Sequence, residues 1–143
     1  MTQVDFYILK GDASDERLRF ACRLTDKAYD LGHRVFIHTA SADQTRVLDE
    51  LLWTFQQGSF IPHCSCRDAG DEPPPVLLAH DVEPDASHQV LINLANDVPL
   101  FFSRFERVVE VVDEDAEIRR AGRNRYGFYR DRGYPLRTHE IRS

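Results

Sequence analysis

The chain has 143 residues, 42% of them hydrophobic and 29% charged, and a formal net charge of −6. These values suit one globular domain over residues 1–143 that folds without disulfides, and no apolar run approaches the roughly 20 residues of a membrane helix. An odd cysteine count of three and an acidic-apolar start, Thr2-Gln3-Val4-Asp5, point away from export and toward a reducing, cytoplasmic setting.

Val4 to Leu9 is a short apolar, β-prone run and is expected to be the first strand, with Gly11 to Ser14 as the turn. Ser14 can cap a helix, without a full capping box because Arg17 holds the third position. Apolar residues at 18, 21, 22, 24, 28, 29 and 31 keep helical spacing, and Gly32 is a natural stop. Arg34–His38 reads as a second strand. Ser41 then opens a second helix with Val47, Leu48, Leu51, Leu52 and Phe55 on one face, ending near Gly58.

Pro62 to Pro75 has the composition of an exposed loop. Val76–Ala79 and Val90–Leu94 are apolar runs of strand length, Leu100–Phe105 suits a short helix, and Arg107–Val112 is the last strand candidate. The final helix is expected from Asp113 onward, with acids in its first turns and arginines following, the arrangement the helix dipole favours. Alternating strands and helices with almost wholly apolar strands predict an α/β three-layer sandwich on a mainly parallel sheet, Rossmann-like but lacking a phosphate-binding loop.

That last qualification narrows the function. Leu9-Lys10-Gly11-Asp12-Ala13-Ser14-Asp15 has one glycine where a dinucleotide site needs three, and its acids would repel phosphate. No GxSxG elbow is present. His63, Cys64 and Cys66 offer three candidate metal ligands on one loop with no second pair in sequence, only His80 or His88 to recruit, so two thiols in a loop is the favoured reading. Asp5 and Asp12 read as a solvent-facing strand position and a turn former. Neither a cofactor nor a metal site is expected.

Charge is distributed unevenly. Residues 119–143 carry eight arginines against two acids, +6, whereas residues 1–118 carry ten Lys and Arg against 22 Asp and Glu, −12. Arg119 and Arg123, four apart, share a helix face with Tyr126 within reach. Two guanidinium groups beside a ring suit a carboxylate attached to an apolar side chain. Arg120, Arg125, Arg130 and Arg132 would add long-range attraction; alternatively the arginines simply pair with the protein's own acids. A second candidate surface joins Trp53, the single tryptophan, to Phe60; such aromatics serve as core lids or as interface anchors.

Taken together, these segments resemble the chi subunit family of bacterial DNA polymerase III holoenzyme. The resemblance rests on Phe6–Leu9, Gly32–Val35, Leu48–Trp53, Ser59–His63, Val90–Leu94, Phe105–Glu110 and Arg123–Arg130. It implies a non-catalytic accessory subunit that binds the psi subunit and, through psi, the clamp loader. It also implies capture of the acidic, phenylalanine-ending C-terminal tail of single-stranded DNA-binding protein, with Arg119, Arg123, Tyr126 and Gly133 at the tail-contacting positions. The family position of Arg119 is often lysine, so only charge is kept there. Trp53 and Phe60 match positions the family turns toward psi, a surface for which an XPD-like helicase competes in some bacteria. The Cys64 and Cys66 loop has no counterpart in the resemblance. The alternatives are a small α/β enzyme that holds an anionic substrate with its arginines, and a direct single-stranded DNA binder.

Overall fold

The computed structural model describes residues 1–66, 70, 72–84 and 89–141. His88 and parts of the Pro62–Pro75 loop lie outside the described residues. In chain order the described elements are β1 (Gln3–Leu9), α1 (Ser14–Asp30), β2 (Val35–His38), α2 (Ala42–Thr54), β3 (His63–Ser65), β4 (Val76–Ala79), β5 (Val90–Asn93), a 3-10 turn (Phe102–Arg104), β6 (Arg107–Val112), α3 (Ala116–Asp131) and β7 (Leu136–Ile141). The strands form one seven-stranded sheet in the order β3-β4-β2-β5-β6-β1-β7. Every neighbouring pair runs parallel.

Successive residues of a strand face opposite sides, so each apolar run supplies two cores. Val35, Ile37, Val76, Leu78, Val90, Ile92, Val109 and Val111 meet Phe20, Ala21 and Cys22 of α1 and Leu48 and Leu52 of α2. Phe36, Leu77, Leu91, Val108 and Val112 meet Phe102, Phe105 and Tyr129 on the other face. The sheet is therefore sandwiched between α1 and α2 on one side and α3 with the 3-10 turn on the other, the three-layer arrangement the apolar strands predict.

Several local expectations are corrected. Ser14 is the first residue of α1 and not its cap; Ala13, whose side chain has no acceptor to offer, holds that position. Val47 is 44% exposed and lies off the buried face of α2, which Thr45, Leu48 and Leu52 form. The Pro62–Pro75 segment is not all loop, because β3 pairs along β4. The Leu100–Phe105 helix shrinks to a single 3-10 turn. Helix α3 starts at Ala116, with Asp115 as its cap accepting from the Ile118 amide at 3.1 Å. Asp5 is 1% exposed, not solvent-facing, with its carboxylate 3.1 Å from His139 Nε2 and 3.2 Å from Arg107 Nη1. Arg107–Val112 is also not the last strand: β7 follows, parallel to β1 at the sheet edge.

Candidate functional site

The geometry of α3 begins with what it buries. Ala121, Gly122, Arg125 and Tyr129 form its inward stripe. Gly122 lets the helix approach β6 closely, since a Cβ there would stand 2.8 Å from Val112 Cγ2. Glu110 of β6 is fully buried and accepts from Arg125 Nε at 2.8 Å, Tyr129 OH at 2.8 Å and Asn93 Nδ2 at 3.0 Å. Arg125 also donates from Nη1 to the Asn96 carbonyl at 3.0 Å. Burial, followed by the Glu110 charge, pushes the Tyr129 hydroxyl well above its usual range, so it serves as a donor. Burial holds Arg17 below its ordinary value, with the like charge of Arg125 adding to the effect. Arg17 spends its donors on the Val111 and Leu94 carbonyls. Arg125 is thus a structural ion pair, 3% exposed, and supplies none of the outward attraction expected of it.

This anchoring sets the rotation of the helix and places Arg119, Arg123 and Tyr126 on one flank. Arg119 and Arg123 are exposed, and their side chains have no acid partner among the described residues. Tyr126 is half-buried, its ring edge-on to Phe6 of β1 with centroids 5.2 Å apart. The remaining arginines of α3 and its C-terminal boundary are engaged. Arg120 pairs with Glu117 at 2.9 Å, Arg130 with Asp131 at 3.2 Å, and the Arg132 guanidinium lies 3.6 Å from the Phe128 ring centroid. Gly133 follows the end of α3 with φ +78, where the turn into β7 needs a left-handed residue. It lies seven residues beyond Tyr126, its amide donating to the Arg130 carbonyl at 3.0 Å.

The second surface is built by α2 and the turn after it. Ser41 caps α2 by accepting from the Gln44 amide at 3.1 Å, while Gln44 Oε1 accepts from the Ala40 amide at 2.8 Å, a reciprocal cap. At the other end Trp53 is 46% and Phe60 68% exposed, with ring centroids 5.3 Å apart. Neither is a core lid. Beneath them His63 is buried, its ring 4.3 Å from Trp53 and its nitrogens 2.6 Å from the Ile61 carbonyl and 2.8 Å from the Asp49 carbonyl. His63 is therefore a brace between β3 and α2. Among the described residues no group of three or more His, Cys, Asp or Glu side chains could hold a metal ion.

Two clefts, of about 550 and 790 Å³, open at the C-terminal ends of β2, β4 and β5. They carry Asp81, Glu83, Asp97 and Asp49 and none of the α3 arginines. An anionic substrate held by Arg119 and Arg123 would find no cavity in either.

Fold and surfaces together define a parallel α/β protein without a phosphate loop, whose exposed chemistry is a cationic helix flank and an aromatic patch. A family model described as DNA polymerase III chi subunit, HolC, matches residues 1–137. The chain is 40% identical over 141 residues to the DNA polymerase III subunit chi of Pseudomonas aeruginosa, covering 99% of this chain and 98% of that protein. It is 29% identical to the subunit chi of Escherichia coli, covering 96% and 97%, and 28% identical to that of Haemophilus influenzae, covering 95% of each. The chain belongs to the DNA polymerase III chi subunit family.

Sequence reasoning missed the Glu110 network, the His63 brace and β7. An acid inside the apolar run Val108–Val112 was the available signal for the first, because a carboxylate there must find a buried partner.

Proposed function

We propose that the chain is a non-catalytic cytoplasmic adaptor of the replicative polymerase. One face captures the acidic C-terminal tail of single-stranded DNA-binding protein, and the other is held by psi, which joins it to the clamp loader. The observation that carries this reading is a pair of exposed arginines without acid partners among the described residues, beside a half-buried tyrosine, in an otherwise acidic chain. Arg119 and Arg123 meet the tail's carboxylates, Tyr126 packs its terminal aromatic side chain, and Gly133 borders the site beyond the helix end. Trp53 and Phe60 form the psi surface, and an XPD-like helicase, where a bacterium has one, competes for it.

Exposed arginines are usually paired cheaply on the surface. Here their neighbours Arg120 and Arg130 are so paired, and the two on the flank of Tyr126 have no such partner among the described residues. A contact of this kind is weak singly and firm when many tails on coated DNA raise the effective concentration. Isothermal calorimetry with a tail peptide tests it. Arg123→Ala is expected to weaken binding by about 1.5–3 kcal/mol, roughly 10- to 150-fold, the usual loss of a charge-assisted partner. Unchanged affinity for that variant would refute the site.

A further inference from the structure

The aromatic patch has a charged rim that the reading above leaves unexplained. On α2, Asp49 and Glu50 precede Trp53 by four and three residues, so both carboxylates share its side of the helix. Glu50 is exposed, and the Asp49 carboxylate lies 3.4 Å from His63 Nε2, its one ion-pair partner among the described residues. Across the turn, Asp26 of α1 accepts from the Ser59 hydroxyl at 3.3 Å, immediately before Phe60. None of these three carboxylates pairs with a lysine or arginine among the described residues. Arg46, one turn earlier on the same stripe, is paired with Asp43 at 3.2 Å. Lys27, next to Asp26 in sequence, lines a different cleft with Leu31, His33 and Arg107. Within the chain, arginines cover the rings of Phe20 and Phe128; the described contacts place none over Trp53.

We propose that this surface is made for a cationic apolar segment. A bulky apolar side chain of the partner seats against Trp53 and Phe60, and a neighbouring arginine or lysine lies over the Trp53 ring, facing Asp49 and Glu50. Tryptophan is the strongest aromatic acceptor of a cation, and a purely apolar partner would leave three carboxylates at the rim with nothing to offset their partial desolvation. The inference rests on the assignment of this surface to psi and names what psi must present there. The chain would then use opposite charge logic at its two faces, arginines reaching for an acidic tail and carboxylates for a basic segment. Complementary charge of this kind steers encounter and rejects wrong partners.

The test is titration of purified psi against the full chain and two variants, read by calorimetry and by the fluorescence of Trp53, over a series of salt concentrations. Glu50→Lys replaces an exposed helix residue by another good helix former, so folding is not at risk. It is expected to weaken binding at least about fivefold at low salt, and that loss should shrink as salt rises, because rim charges are screened within a Debye length. Wild-type binding should itself weaken with salt. If Trp53→Ala lowers affinity while Glu50→Lys leaves it equal or tighter, the surface assignment stands and the cationic partner is wrong. If Trp53→Ala leaves affinity unchanged, the surface assignment fails and takes this inference with it.

Discussion

Glu110 holds a full carboxylate out of water, and three donors compensate it: Arg125, Tyr129 and Asn93. A buried ion pair adds little net stability against apolar residues of the same shape, yet removing one partner leaves an uncompensated charge. Arg125→Met is therefore expected to lower unfolding free energy by about 3–5 kcal/mol in urea titrations. Adding Glu110→Gln removes the stranded charge and keeps an oxygen to accept from Tyr129 and Asn93, so the double variant should be more stable than Arg125→Met alone. A single variant within about 1 kcal/mol of wild type would mean that water reaches Glu110 and that the network does not set the rotation of α3. The consequence for function is indirect but specific. Arg125 fixes where Arg119, Arg123 and Tyr126 point, so a variant that folds with α3 rotated would lose the face those three share.

At the scale of elements, α3 depends on two glycines in opposite ways. Glycine in a helix interior costs roughly 1 kcal/mol relative to alanine. At Gly122 that cost allows contact with Val112, because an added methyl would lie 2.8 Å from its Cγ2. At Gly127 the added methyl meets only Arg130 Nη2, at 3.7 Å. Gly127→Ala is thus expected to raise stability by about 0.5–1 kcal/mol, and Gly122→Ala to lower it by about 1–3 kcal/mol, both read from thermal melts. Equal effects of the two would contradict close docking at Gly122. Elements with a buried apolar run or period were legible in the sequence: β1, β2, β4, β5, β6, α1 and α2 follow from it, while α3 was legible from its acids leading and its arginines following. Strand β7 was not. Leu136-Arg137-Thr138-His139-Glu140-Ile141 lies at an edge with three of its residues exposed, so only pairing with β1 makes it a strand. Strand β3 is three residues long, too short for any period to show. The arginine–tyrosine flank was legible because i, i+4 and i+7 spacing needs only a helix. Which arginines remain unpaired was not, since the partner of Arg125 lies fifteen residues away in β6.

The whole molecule separates its two faces. Trp53 sits over His63 of β3, the outermost strand on one side, and Tyr126 rests on Phe6 of β1, next to the opposite edge. Five strand spacings separate β3 from β1, about 24 Å, and the two aromatic groups also lie on opposite faces of the sheet. Charges that far apart are screened beyond the Debye length of about 10 Å at 0.1 M salt. One continuous sheet lies between them, and distant sites without shared partners act additively within about 0.5 kcal/mol. An adaptor built this way should hold both partners at once, each with the affinity it shows alone. Calorimetric titration of the tail peptide into the chain saturated with psi is expected to return a dissociation constant within about twofold of the psi-free value. Competition between the two ligands, or a shift of about tenfold, would mean that the surfaces overlap or are coupled, and a simple tether would no longer describe the molecule.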